Sequence, residues 1–183
     1  MTKKPVAYDP AEMQLMIDAA ENPATDDRTV AIVCLAHIED ALSELLRANL
    51  PGLRSGLEST LFLPGGPLST FGNKVAIAEA MQIIYPEFAH ELLRMATIRN
   101  RFAHKLTVTT FDNELVRDHV DQLTSLRDVA LLSIAALIVP PQEAVSPSRR
   151  RRFSYSAVVA AFALNGEELV MLDRVQWLRR LSR

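Results

Sequence analysis

Several features are scarce in this chain, and each scarcity excludes something. There is one cysteine, Cys34, in 183 residues, so no internal disulfide framework can form. No secretory signal pattern occupies the first residues, and a reducing cytoplasm is the expected location. Cys34 lies in the apolar run Val30–Leu35 and is expected to act as a small buried hydrophobe. No apolar stretch is long enough to span a bilayer. The longest, Val129–Val139, contains Ser133 and stops at Pro140-Pro141, so it reads as a buried helix and no membrane partner is expected. Glycine (6 residues) and aromatics (6%) are few, while Leu, Ala and Glu are frequent, which leans towards helix over sheet.

Chemistry-bearing motifs are also thin. There is no Gly-x-Ser-x-Gly nucleophile motif. Gly65-Gly66 precedes a helical stretch, but neither Lys-Ser nor Lys-Thr follows and no strand precedes, so it reads as a shaped turn. Neither His37 with Glu39 nor Asp118 with His119 shares a helical face. Glu87-x-x-His90 has ligand spacing but lacks the second copy that a di-metal bundle needs. No metal and no cofactor is expected.

What is present is a core. Hydrophobic residues make up 49% and charged residues 23%, enough for one packed domain. Residues 1–183 are expected to form a single all-α bundle of about six to eight helices. Residues 1–139 would be the main bundle, 140–148 a Pro-rich bend, and 149–183 C-terminal helices packing back.

The first helix is expected at Pro10 to about Glu21, capped by Asp9. A long second one runs from Thr25–Asp27 to about Asn49, with Leu35, Ile38, Leu42 and Leu45 on one face. A short helix covers Leu53–Leu61, and Ser69 caps another over Thr70–Ile84. Tyr85-Pro86 opens a central helix in which Phe88, Leu92, Met95, Arg99, Phe102 and Leu106 form a seam with an arginine inside it. Asp112 can cap a helix to about Leu123. Further helices are expected at Ser125–Val139, Phe153–Leu164 and Glu167–Leu181.

Charge is uneven. From Arg149 onward eight arginines face Glu167, Glu168 and Asp173, a local +5, so with a total of −2 the first 148 residues carry −7. Arg149, Arg150, Arg151 and Arg152 are candidates for contact with nucleic acid or another anionic partner; the alternative is that they pair with the acidic first part of the chain. Cations are disfavoured at a helix N-terminus, so capping does not explain them.

The most pointed stretch is Ile98-Arg99-Asn100-Arg101-Phe102-Ala103-His104. Arg99, Asn100 and His104 have the parts for metal-independent RNA cleavage: an imidazole to move a proton, a guanidinium for phosphate charge, and an amide for orientation. Yet at about 100° per residue Arg99 and His104 stand roughly 140° apart on a regular helix, while Asn100 and His104 share a face. A composite site would need a helix break after Arg101, side chains bending together, or a second subunit. The structural alternative has Arg99 binding Glu39, Asp40 or Glu44.

Arg-x4-His with a polar residue after the arginine resembles the signature of HEPN domains, helical bundles that include dimeric, metal-independent ribonucleases. A longer stretch is similar to the mannitol operon repressor family. It runs from Gly66-Pro67-Leu68-Ser69 through Lys74-Val75, Ala78-Glu79-Ala80 and Ile83-Ile84 to Ile98–His104, and the likeness covers roughly Val30–Lys105. That resemblance implies an all-helical cytoplasmic transcriptional regulator. No helix-turn-helix reader is visible, so action through protein contacts is expected, with a homodimer as the assembly, an unidentified regulatory protein as partner, and nucleic acid as an alternative partner. The expectation leans against an enzyme. The alternative function is a HEPN-type endoribonuclease of a toxin or defence system, using Arg99, Asn100 and His104.

Overall fold

The computed structural model describes residues 10–126 and 147–165. Among these residues the chain is a single bundle of seven helices with no strand: α1 Pro10–Glu21, α2 Asp27–Asn49, α3 Ser55–Phe62, α4 Phe71–Ala80, α5 Pro86–His104, α6 Arg117–Asp121 and α7 Arg149–Asn165. None of the described helices is long and apolar enough to cross a membrane. The Asp9 cap, most of Ser125–Val139, most of the Pro-rich bend and Glu167–Leu181 lie outside the described residues.

Helix starts follow local chemistry. Asp26 caps α2 by accepting from the Thr29 N–H at 2.8 Å and from the Thr29 hydroxyl at 2.9 Å. Pro86 occupies the first turn of α5, where its missing N–H costs nothing. The cap of α4 is Thr70, not Ser69: Thr70 Oγ1 accepts from the Asn73 N–H, whereas the Ser69 hydroxyl donates back to the Gly66 carbonyl at 2.7 Å.

Helix α7 is the centre of the bundle. Phe153 to Ala161 are all buried. The helix packs most extensively on α2 and also meets α1, α6 and α5. Its first residue is Arg149, so the arginine run belongs to the helix and does not precede it as expected. The α2 face supplies Val30, Cys34, Leu35, Ile38, Leu42 and Leu46 to the core. Burial pushes the Cys34 thiol up to about 12, as suits an inert core position. Phe102 of α5, Phe111 of the following loop and Phe153 of α7 form a continuous aromatic run, with ring centroids 4.8 and 5.0 Å apart.

Two expected helices are shorter in the structure. α4 stops at Ala80, four residues before the expected Ile84. Gln82 takes φ 58°, and its N–H bonds the Glu79 carbonyl at 2.8 Å while the Ile83 N–H reaches Ala78 at 2.9 Å. This is a Schellman closure with glutamine in the place glycine usually fills. The helix expected from Asp112 is only the single stretch Arg117–Asp121. Asp112 binds Arg149 at 2.7 Å, and Asn113 folds the next residues into a turn by accepting the Leu115 N–H at 3.1 Å.

Gly66 has a different duty. A Cβ there would stand 2.4 Å from the Thr60 carbonyl oxygen and 2.5 Å from that of Leu61, so only glycine lets the turn close over the end of α3. Gly66→Ala is expected to destabilise by about 1–3 kcal/mol. Gln82→Gly, which removes the left-handed penalty, is expected to stabilise by about 0.5–1 kcal/mol. Urea unfolding midpoints at unchanged slope check both.

Candidate functional site

Helix α5 carries the motif, and its continuity decides the geometry. Regular helix runs through Arg101 to His104, and the Lys105 N–H still closes on the Arg101 carbonyl at 3.0 Å. There is no break after Arg101. Buried Phe88, Glu91, Leu92, Met95, Ile98 and Phe102 face the bundle. The core stripe therefore steps from Met95 to Ile98 to Phe102, with half-buried Arg99 beside it. Leu106, expected as the last residue of the seam, lies past the helix end and is 86% exposed.

Asn100 and His104 are exposed on the outer face. Arg99 and His104 thus project in directions roughly 140° apart, as a straight helix requires. The structure brings Asn100 and His104 onto one face and does not bring Arg99 to them within one chain. Nor does Arg99 take the carboxylates suggested for it. Glu39 holds the buried Lys74 ammonium at 2.7 Å, and Glu44 holds Arg47 at 2.6 Å. Among the described residues Arg99 makes no side-chain hydrogen bond or ion pair.

The end of α5 is fixed by a residue that sequence reasoning did not single out. Arg28, in the first turn of α2, donates to the Phe102 carbonyl, to Val108 at 3.1 Å and to Lys105 at 3.3 Å. A cation at the start of one helix satisfies carbonyls orphaned at the end of another. Its neighbour Asp27 accepts the Phe111 N–H at 2.9 Å and binds Arg150 at 3.0 Å. Buried Glu91 performs a similar service further back, accepting from the N–H groups of Thr124 and Ser125 at 2.9 Å each and from the Ser125 hydroxyl at 2.5 Å. Arg28 had one legible signal: a cation in the first turn of a helix opposes the dipole and needs a partner elsewhere.

The four consecutive arginines are used inside the chain. Arg149 bridges Asp121, at 2.9 and 2.7 Å, and Asp112, at 2.7 Å. Arg150 donates to the carbonyls of Ala19, Ala20, Asn22 and Thr25 at 2.7–3.0 Å, besides Asp27. Arg151 pairs with Glu21 at 2.7 Å, and Arg152 donates to the Asp121 carbonyl at 3.2 Å. Pairing with the acidic first part of the chain is therefore what the geometry displays for Arg149, Arg150 and Arg151, whereas Arg152 meets no carboxylate among the described residues. Among the described residues no group of three or more His, Cys, Asp or Glu is placed to hold a metal ion.

No family model, curated protein or solved structure matches the chain.

The arginine contacts carry a pH dependence. Hydrogen bonds from Arg151, and then from Tyr155, hold the Glu21 carboxyl below its ordinary value of 4.5. Hydrogen bonds from Arg149 hold Asp121 below 3.8. A carboxyl depressed in the folded chain contributes stability that is present above its unfolded value and is lost as pH falls through the folded one. Stability is expected to decline below about pH 4.5, and Arg149→Gln should remove part of that decline. Urea midpoints measured from about pH 6 down to about pH 3 for both proteins check it.

Proposed function

We propose that the chain is a mannitol-repressor-like transcriptional regulator that works in the cytoplasm as a homodimer and acts through protein contacts. The observation that carries this is the fate of Arg149–Arg152. The densest basic run in the chain is bound to Asp112, Asp121, Asp27, Glu21 and main-chain carbonyls, which leaves it poorly placed to neutralise phosphates. The divergence of Arg99 and His104 on an unbroken helix weighs against self-contained catalysis in the same direction. The bundle is in keeping with a fold of the mannitol-repressor or HEPN type.

A second function has one observation in its favour. Asn100 and His104 share an exposed face, and neither side chain is tied up by a contact among the described residues. In a HEPN-type ribonuclease His104 would be the general acid or base, Asn100 would orient it, and Arg99 would be supplied across a dimer to meet phosphate charge.

Incubation of the purified protein with transfer RNA or total RNA in EDTA, beside His104→Ala, separates the two. The expected outcome is intact RNA with both proteins, together with a confined set of altered transcripts in a strain lacking the protein. Cleavage by the wild type alone, leaving cyclic-phosphate ends, would overturn the regulatory function.

A further inference from the structure

Among the described residues most of the positive charge is committed. Arg28, Arg47, Lys74, Arg94, Arg117 and Arg149 through Arg152 each bind a carboxylate or a main-chain carbonyl. Among the described residues, the arginines and lysines with no ion pair or side-chain hydrogen bond are Arg54 and a group of three at one place: Arg99, Arg101 and Lys105. The unpaired cations thus gather around the last turns of α5, although the first 148 residues carry −7 overall.

Their arrangement is that of a framed surface. Asn100, Ala103 and His104 are exposed and centre one face of the helix. At about 100° per residue Arg99 and Arg101 fall on opposite flanks of that face. Lys105 and Leu106 follow directly at the helix end, and both are exposed. Leu106, at 86%, is the most exposed of the large hydrophobic residues described. Arg28 holds this end against the bundle through three carbonyls, so the surface is preorganised.

We infer that the C-terminal end of α5 is a docking site for an acidic segment of a partner protein that brings an aliphatic side chain to cover Leu106. This rests on the regulatory function proposed above and names its contact. Carboxylates of the segment meet Arg101 and Lys105, with Arg99 on the far flank of the helix, and desolvation of Leu106 supplies the apolar part of the contact. Single-stranded RNA fits the surface less well. Its bases need aromatic platforms, whereas the exposed large hydrophobics of the described residues are all Leu or Ile.

The test is fluorescence anisotropy with three labelled probes: a short peptide of glutamate and leucine, its counterpart with lysine for glutamate, and a short single-stranded RNA. The wild type is expected to prefer the acidic peptide and to lose it as salt rises. Arg101→Glu combined with Lys105→Glu should weaken that binding at least about tenfold and transfer preference to the lysine peptide. Leu106→Ser should weaken it by about tenfold. Arg54→Glu, at the other unpaired cation, should leave it unchanged. Circular dichroism confirms that each variant is folded. Equal binding of the two peptides, preference for RNA, or equal loss in Arg54→Glu overturns the site. Intact RNA in EDTA with no peptide preference removes this site alone, whereas RNA cleavage removes the function on which it rests.

Discussion

The guanidinium of Arg150 sits in the turn between α1 and α2, and much of the bundle depends on that placement. Its five contacts include the carbonyls of Ala19 and Ala20 in the last turn of α1, Asn22 and Thr25 in the turn, and Asp27 at the start of α2. One side chain from the central helix thereby fixes the angle at which the first two helices meet. It also resolves a local conflict. An arginine near the start of α7 opposes that helix's dipole, but its charge reaches the C-terminal end of α1, where it is favoured. Half-buried and multiply bonded, such a group is worth more than an exposed ion pair, because removing it would orphan several carbonyls at once.

Arg28 repeats the device on α5. It too belongs to the first turn of a helix and serves the last turn of another. Asp27, the residue before it, holds Arg150 and the Phe111 N–H. Two adjacent residues of α2 therefore link α7, the loop after α5, and the end of α5. The Phe102, Phe111 and Phe153 rings pack along the same line. The candidate site is consequently mounted on a well-braced corner of the described bundle, although its own polar groups make few internal contacts. A surface with rigid support and unspent side chains is suited to binding, since little ordering cost falls due on contact.

How much of this was legible follows from where each signal resides. Helices α1, α2 and α5 could be read because their starts and stops are local: Asn22-Pro23, Pro51-Gly52, Tyr85-Pro86. The face of α2 with Leu35, Ile38, Leu42 and Leu45 is visible as spacing. In α5 the 4-3 pattern of Phe88, Leu92, Met95 and Phe102 was legible, but spacing alone could not choose between Ile98 and Arg99 as the core residue, since both continue the stripe. The end of α4 was illegible because a glutamine adopts the left-handed conformation, where no glycine marks it. The short α6 was illegible because Asp112 is claimed by Arg149, a residue 37 positions away. Long-range pairs of this kind leave only an indirect trace, a charge standing where its own helix does not want it.

That trace changes how the charge of the chain should be weighed for function. Read by density, residues 149–152 dominate, and a nucleic-acid partner follows from them. Read by which charges find a partner within the fold, the order reverses. The dense run faces Glu21, Asp27, Asp112 and Asp121, while the sparse one around Arg99, Arg101 and Lys105 faces none among the described residues. An ion pair already made must be broken before its cation can serve an anionic partner, with the carboxylate left unpaired as a further cost. A cation without a partner carries no such penalty. The surface with fewer positive charges is for that reason the stronger candidate for contact, and it coincides with the stretch whose arginine, amide and histidine stood out in the sequence.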